Sequence, residues 1–140
     1  MRRSICGALL MCSLLAGTAG CGDEDTPTEP TEPERPTFTE TFEQTLTVNG
    51  ARTHPFAANG SGEIRATLSV LGPASDGRIG LSLGTFNTTG ACQVVIANDN
   101  ATQGTIVVGN AGAAGTFCVR VYDVGQLSAP ATYTVTVIHF

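Results

Sequence analysis

Apolar residues recur at every second position over long stretches of residues 41–140, and that alternation points to half-buried strands. Ile64, Ala66, Leu68 and Val70 alternate with Arg65, Thr67 and Ser69. Phe117, Val119 and Val121 alternate with Cys118, Arg120 and Tyr122, and Tyr133, Val135 and Val137 with Thr134 and Thr136. A strand sends successive side chains to opposite faces, so each run turns one face to a core and the other to water. The β-branched content suits a pleated surface. Turn formers interrupt the runs at Asn49-Gly50, Asn59-Gly60, Gly72-Pro73, Asp76-Gly77, Thr89-Gly90, Gly109-Asn110 and Gly125. No stretch supports a helix of any length.

The spacing predicts strands at 42–48, 52–58, 62–71, 78–85, 92–97, 104–108, 116–123 and 132–139. About eight short strands with turns between them indicate an all-β, antiparallel β-sandwich of jelly-roll type. An immunoglobulin-like sandwich is the second choice. The chain has no tryptophan, so the residue that packs over the inter-sheet disulfide of that fold is missing.

The first residues read differently. Arg2 and Arg3 precede an apolar run from Ile5 to Ala16, and Gly17-Thr18-Ala19-Gly20-Cys21 follows. The run is shorter than the roughly 20 residues of a spanning helix and has the order of a secretory signal. Its ending, Ala19-Gly20-Cys21, resembles the lipobox of bacterial lipoproteins, with Thr18 standing where leucine is usual. The resemblance implies a signal peptide over residues 1–20 and a lipid on Cys21. Gly22, rather than aspartate, follows the cysteine, which by the same resemblance implies the outer membrane. Secretion or a periplasmic location is the alternative.

Residues 22–40 hold seven of the twelve acidic residues, four of the seven prolines and one cation, Arg35. Such a segment buries too little apolar surface to offset its ordering entropy, so 21–40 read as a disordered tether. In extended polyproline form, at about 3.1 Å per residue, it reaches roughly 60 Å. The net charge of −5 belongs almost wholly to it, since residues 41–140 carry five acids and four arginines. That near-neutral domain offers no basic stripe for nucleic acid.

Of five cysteines, Cys6 and Cys12 leave with the signal and Cys21 takes the lipid. Cys92 and Cys118 remain, and an even pair in an oxidising compartment indicates a disulfide. Closing residues 92–118 into a loop is worth about 3–4 kcal/mol in the chain-entropy model. Two cysteines without a nearby histidine make a poor metal site.

Gly115-Thr116-Phe117-Cys118-Val119-Arg120-Val121-Tyr122-Asp123, followed by Tyr133-Thr134-Val135-Thr136-Val137, resembles the end of bacterial pre-peptidase C-terminal domains. His54-Pro55-Phe56 before Gly62-Glu63-Ile64-Arg65-Ala66-Thr67-Leu68 is similar to an earlier strand pair of the same family. The resemblance spans roughly residues 40–140. It implies a non-catalytic jelly-roll module of the kind appended to secreted enzymes, some of which bind matrix polymers or calcium.

Candidates for chemistry are few. His54 precedes Pro55 and is therefore extended; His139, on the last strand, is expected at a surface or edge. Neither lies in a nucleophile motif. Glycosidase chemistry needs two facing carboxylates, and the spacing of the available acids Glu63, Asp76, Asp99 and Asp123 says nothing about facing. Asn98-Asp99-Asn100 supplies oxygen ligands of the type calcium takes, with Asp76 or Asp123 as partners from other loops. A polar loop with Asx turns is the simpler expectation there. The sequons at Asn87 and Asn100 read as chance. Tyr122, out of phase with the core face of its strand, is the one candidate platform for a sugar. No cofactor is implied. The expected function is a non-catalytic module held to a membrane by its lipid and meeting an extracellular polymer or protein. The alternative is a small secreted hydrolase or hydrolase accessory unit, with calcium as a stabiliser.

Overall fold

The computed structural model describes residues 35–73 and 77–140. The signal peptide, Cys21, residues 22–34 and Asp76 lie outside the described residues. Eight strands follow in order: β1 (Phe38–Leu46), β2 (Ala51–Ala58), β3 (Gly62–Gly72), β4 (Ile79–Phe86), β5 (Cys92–Ala101), β6 (Ile106–Ala111), β7 (Gly115–Tyr122) and β8 (Ala131–His139). They form two four-stranded sheets, β1-β8-β3-β6 and β2-β7-β4-β5. Every pairing is antiparallel.

The wiring follows from one long hairpin. β4 pairs with β5, β3 with β6, β2 with β7 and β1 with β8, as if the chain were doubled back at the β4–β5 turn and then rolled up. Rolling brings β3 against β8 and β4 against β7. That is the jelly roll, and it sets aside the immunoglobulin-like order.

The inner faces carry the alternating residues. Ile64, Ala66 and Leu68 of β3 and Tyr133, Val135 and Val137 of β8 meet Val119 and Val121 of β7 and Ile79, Leu81 and Leu83 of β4. One expected core residue is displaced. The β3–β8 register shifts between Leu68 and Val70, so Leu71 is buried and Val70 is exposed. A bulge of this kind adds one residue and reverses the phase of everything after it.

β1 starts at Phe38, ahead of the expected boundary at residue 41. Glu40 reads as part of the acidic tether, yet its carboxylate accepts from His139 Nε2 at 3.0 Å. His139 is itself 2% exposed, against the expectation of a surface position. It continues the inward phase of Tyr133, Val135 and Val137, and Phe38 and Phe56 flank its ring. Arg35, also from the expected tether, donates to Ser61 O at 2.8 Å and lies over the Phe140 ring.

Candidate binding surface

The sites expected from sequence are mostly occupied by internal partners. His54 Nε2 and the Tyr133 hydroxyl share a 2.7 Å hydrogen bond, under a stacked Phe42 ring. Burial, and secondarily the Arg52 charge, hold the imidazole below its ordinary range. Burial likewise pushes the Tyr133 phenol up to about 12, against the lowering effect of Arg52. A neutral His54 between Phe42 and Tyr133 closes the β1–β2 edge of the sandwich.

Asp123 ties two connections together. Its Oδ2 accepts from Asn49 N at 2.8 Å, and its Oδ1 from Gly125 N, Gln126 N and Leu127 N at 2.8, 3.0 and 3.2 Å. Desolvation works against the charged form, but these four backbone donors outweigh it and hold the carboxyl below its ordinary value. Asn49 adopts the left-handed conformation that brings its N–H round to the carboxylate. Glu63 pairs with Arg65 at 2.9 Å on the surface.

Asn98, Asp99 and Asn100 lie inside β5 rather than in a loop. A register irregularity faces them between Ile79 and Leu81, and Asn98 Oδ1 accepts from Asn100 N at 2.9 Å, an Asx-type bond within a strand. Asp99 accepts from the Tyr122 hydroxyl, whose pKa rises to about 12 through burial first and Asp99 second. Tyr122 lies over Gly80, where an added Cβ would sit 2.6 Å from ring Cδ2, and the Arg120 guanidinium is 5.0 Å from its centroid. With glycine beneath it and Arg120 over it, the ring is no bare platform for a sugar. Among the described residues no three His, Cys, Asp or Glu side chains gather as a metal site.

Cys92 and Cys118 form the expected disulfide. Its construction explains the most exposed large hydrophobic residue among the described ones, Val95. β7 and β5 lie on opposite sides of β4, so Cys92 must reach across that strand. Gly84 of β4 permits this: an added Cβ would lie 2.7 Å from the Gln93 carbonyl carbon and 2.9 Å from Val94 Cα. The β5 backbone therefore folds closely over β4 at a position that tolerates no side chain. The same crossing produces a bulge. Leu83 pairs with Ile96 and Gly84 with Val94, which leaves Val95 without an opposite residue and 77% exposed.

Val95 belongs to a rim made by the free edges of both sheets, β5 and β6. Val94, Ile96, Ile106 and Val108 are exposed along it. Between the two strands opens a cavity of about 70 Å³ whose apolar wall includes Ile64, Leu83, Val95, Ile96 and Phe117. That volume is well below the roughly 300–1,000 Å³ of small-molecule sites and closer to a single side chain. Sequence reading missed this surface, because Val94-Val95-Ile96 has the composition of a core strand. One signal was present: from Ile79 to Val119 the only charged residue is Asp99.

No family model matches the chain, and no curated protein matches it. Among solved structures it is similar to PliG of Aeromonas hydrophila, a periplasmic inhibitor of g-type lysozyme, with 13% identity, 72% of this chain and 84% of that chain covered, and a TM-score of 0.47. A structure of the infectious bursal disease virus Gx strain aligns with 16% identity over 80% of this chain and 36% of that one, with a TM-score of 0.28.

Proposed function

We propose that this chain is a non-catalytic binding module, lipid-anchored at the cell envelope through Cys21, that docks a protein partner on the β5–β6 rim. The rim carries the reading. A run of exposed β-branched residues around a side-chain-sized apolar cavity has the anatomy of a protein interface, where one anchor residue fills a pocket and its neighbours exclude water. Edge strands also present unpaired N–H and C=O groups, which natural sheets commonly guard with charges or proline. β2, at the opposite side, has that guard in Arg52 and Pro55; β5 and β6 carry only Asp99.

The histidines and acids are consistent with a non-catalytic role. His54, His139, Glu40, Asp99 and Asp123 are each held by partners that shape the fold, as described above. Anchoring rests on Ala19-Gly20-Cys21 and on the acidic, proline-rich residues that follow. Among the described residues no helix is long and apolar enough to cross a membrane.

Two measurements on the full chain test the proposal. Palmitate labelling is expected and should vanish in Cys21→Ser. A photo-crosslinking residue at Val95 should give protein adducts in intact cells, whereas one at exposed Thr45 on β1 should not. Unlabelled Cys21 would remove the anchor, and equal yields at both positions would remove the docking rim.

A further inference from the structure

We infer that the occupant of the β5–β6 rim is a second copy of this chain, related by a two-fold axis, with β6 of each copy paired antiparallel to β6 of the other. The inference rests on the rim being a docking surface.

Three observations favour a like partner. The first is charge. Across a two-fold axis each surface meets its own image, so a charged rim would set like against like. The strands β5 and β6 hold one charged residue, Asp99, to which Tyr122 already donates, and beside β6 the exposed Arg65 and Glu63 of β3 neutralise each other as a 2.9 Å pair. The β1–β2 side, with Glu40, Glu43 and Arg52, has no such neutrality.

The second is shape. An isologous interface needs a patch that is its own complement. The rim holds both halves: a raised apolar knob at Val95 and, beside it, an apolar hollow reaching Leu83, Phe117 and Ile64. Val95 and Ile96 of one copy can cover the hollow of the other while the reverse contact forms on the far side of the axis.

The third is the edge itself. β6 pairs with β3 from Gly62↔Ala111 to Thr67↔Ile106 without a register shift, so its free side is a regular row of backbone donors and acceptors. β5, with two irregularities, is less suited to pairing. Two identical strands paired antiparallel are related by a two-fold axis. The union would extend β1-β8-β3-β6 into one eight-stranded sheet, with Ile106 and Val108 of both copies lying together on its outer face.

The test is sedimentation velocity on residues 21–140 carrying Cys21→Ser, so that neither a lipid nor the apolar run Ile5–Ala16 contributes to association. At micromolar concentration the parent should sediment as a dimer. Val95→Asp and Val108→Asp, both at exposed positions, should each sediment as a monomer with an unchanged far-ultraviolet circular dichroism spectrum, their thermal midpoints no longer rising with concentration as the parent's does. A parent that stays monomeric at every concentration overturns the inference, as do variants that remain dimeric. If the Val95 cross-link captures a different protein while the parent is monomeric, the rim remains a docking site and only the second copy is wrong. If there is neither a dimer nor a cross-link, both readings fall.

Discussion

Gly84→Ala is the sharpest single perturbation of this fold. Its new Cβ would sit 2.7 Å from the Gln93 carbonyl carbon and 2.9 Å from Val94 Cα, where ordinary contact begins near 3.4 Å. Both neighbours are backbone, so relief requires β5 to lift away from β4. Overpacking of this kind costs about 1–3 kcal/mol, and the rigid neighbours place Gly84 toward the upper part of that range. For a domain of this size, about 2–3 kcal/mol corresponds to a midpoint roughly 8–24 °C lower. Thermal unfolding followed by circular dichroism measures it. Lifting β5 also draws Cys92 away from Cys118, so the cost of Gly84→Ala should shrink once both cysteines are serine, a coupling that a double-mutant cycle reads directly. Gly109→Ala is the internal control. Its added Cβ would lie 3.5 Å from Leu83 Cδ1 and 4.0 Å from Ile96 Cγ2, ordinary contacts at the edge of the rim cavity. That variant should be neutral or stabilised by up to about 1 kcal/mol through the less flexible unfolded chain. Equal midpoints for the two variants would refute the crossing of β5 over Gly84 as the constraint on this strand.

Three further outcomes follow from the same structure. The imidazole of His54 is held below its ordinary 6.5, chiefly by burial, so the unfolded chain takes a proton that the folded one refuses. Stability should therefore be complete above about pH 6.5 and fall as pH drops through that value; in urea titrations His54→Gln should lose this part of the slope. The Asp123 carboxyl is lowered from 3.8, so its contribution is present above that pH and is lost on acidification through the lower folded value. Asp123→Ala should speed amide exchange at Asn49 and at Gly125, Gln126 and Leu127 together, and protection unchanged at Asn49 would separate the two connections. Replacing both Cys92 and Cys118 by serine should cost about 3–4 kcal/mol in denaturant unfolding, and a loss under about 1 kcal/mol would show that the crossing holds without the bond.

Most of the architecture is legible in the chain because strand alternation and turn chemistry agree. Val119 and Val121, or Val135 and Val137, are in phase with the core over whole strands, and all eight strands fall within a few residues of where turn formers place them. Legibility fails where tertiary geometry overrides a local pattern. The bulge that turns Val70 outward and Leu71 inward has no composition of its own. Glu40 resembles the acidic residues before it in sequence by charge and belongs to the core edge only because His139, 99 positions away in sequence, meets it. His139 shows the opposite failure: its phase with Val137 was readable, but its place at the end of the chain suggested exposure. The rim is hidden for a related reason. Val94, Val95 and Ile96 are residues that strands bury, and only the pairing of β5 with β4 on one side, together with the bulge at Gly84, puts them in water.

On the proposal that a partner docks there, the β5–β6 rim is covered when the protein is in place. Hydrogen exchange over Cys92–Ala111, measured on the full chain in isolated envelopes and on Val95→Asp prepared identically, tests this. Slow exchange at β6 in the parent and fast exchange in the variant, with β8 protected equally in both, is the predicted result. Identical exchange at β6 in parent and variant would contradict it.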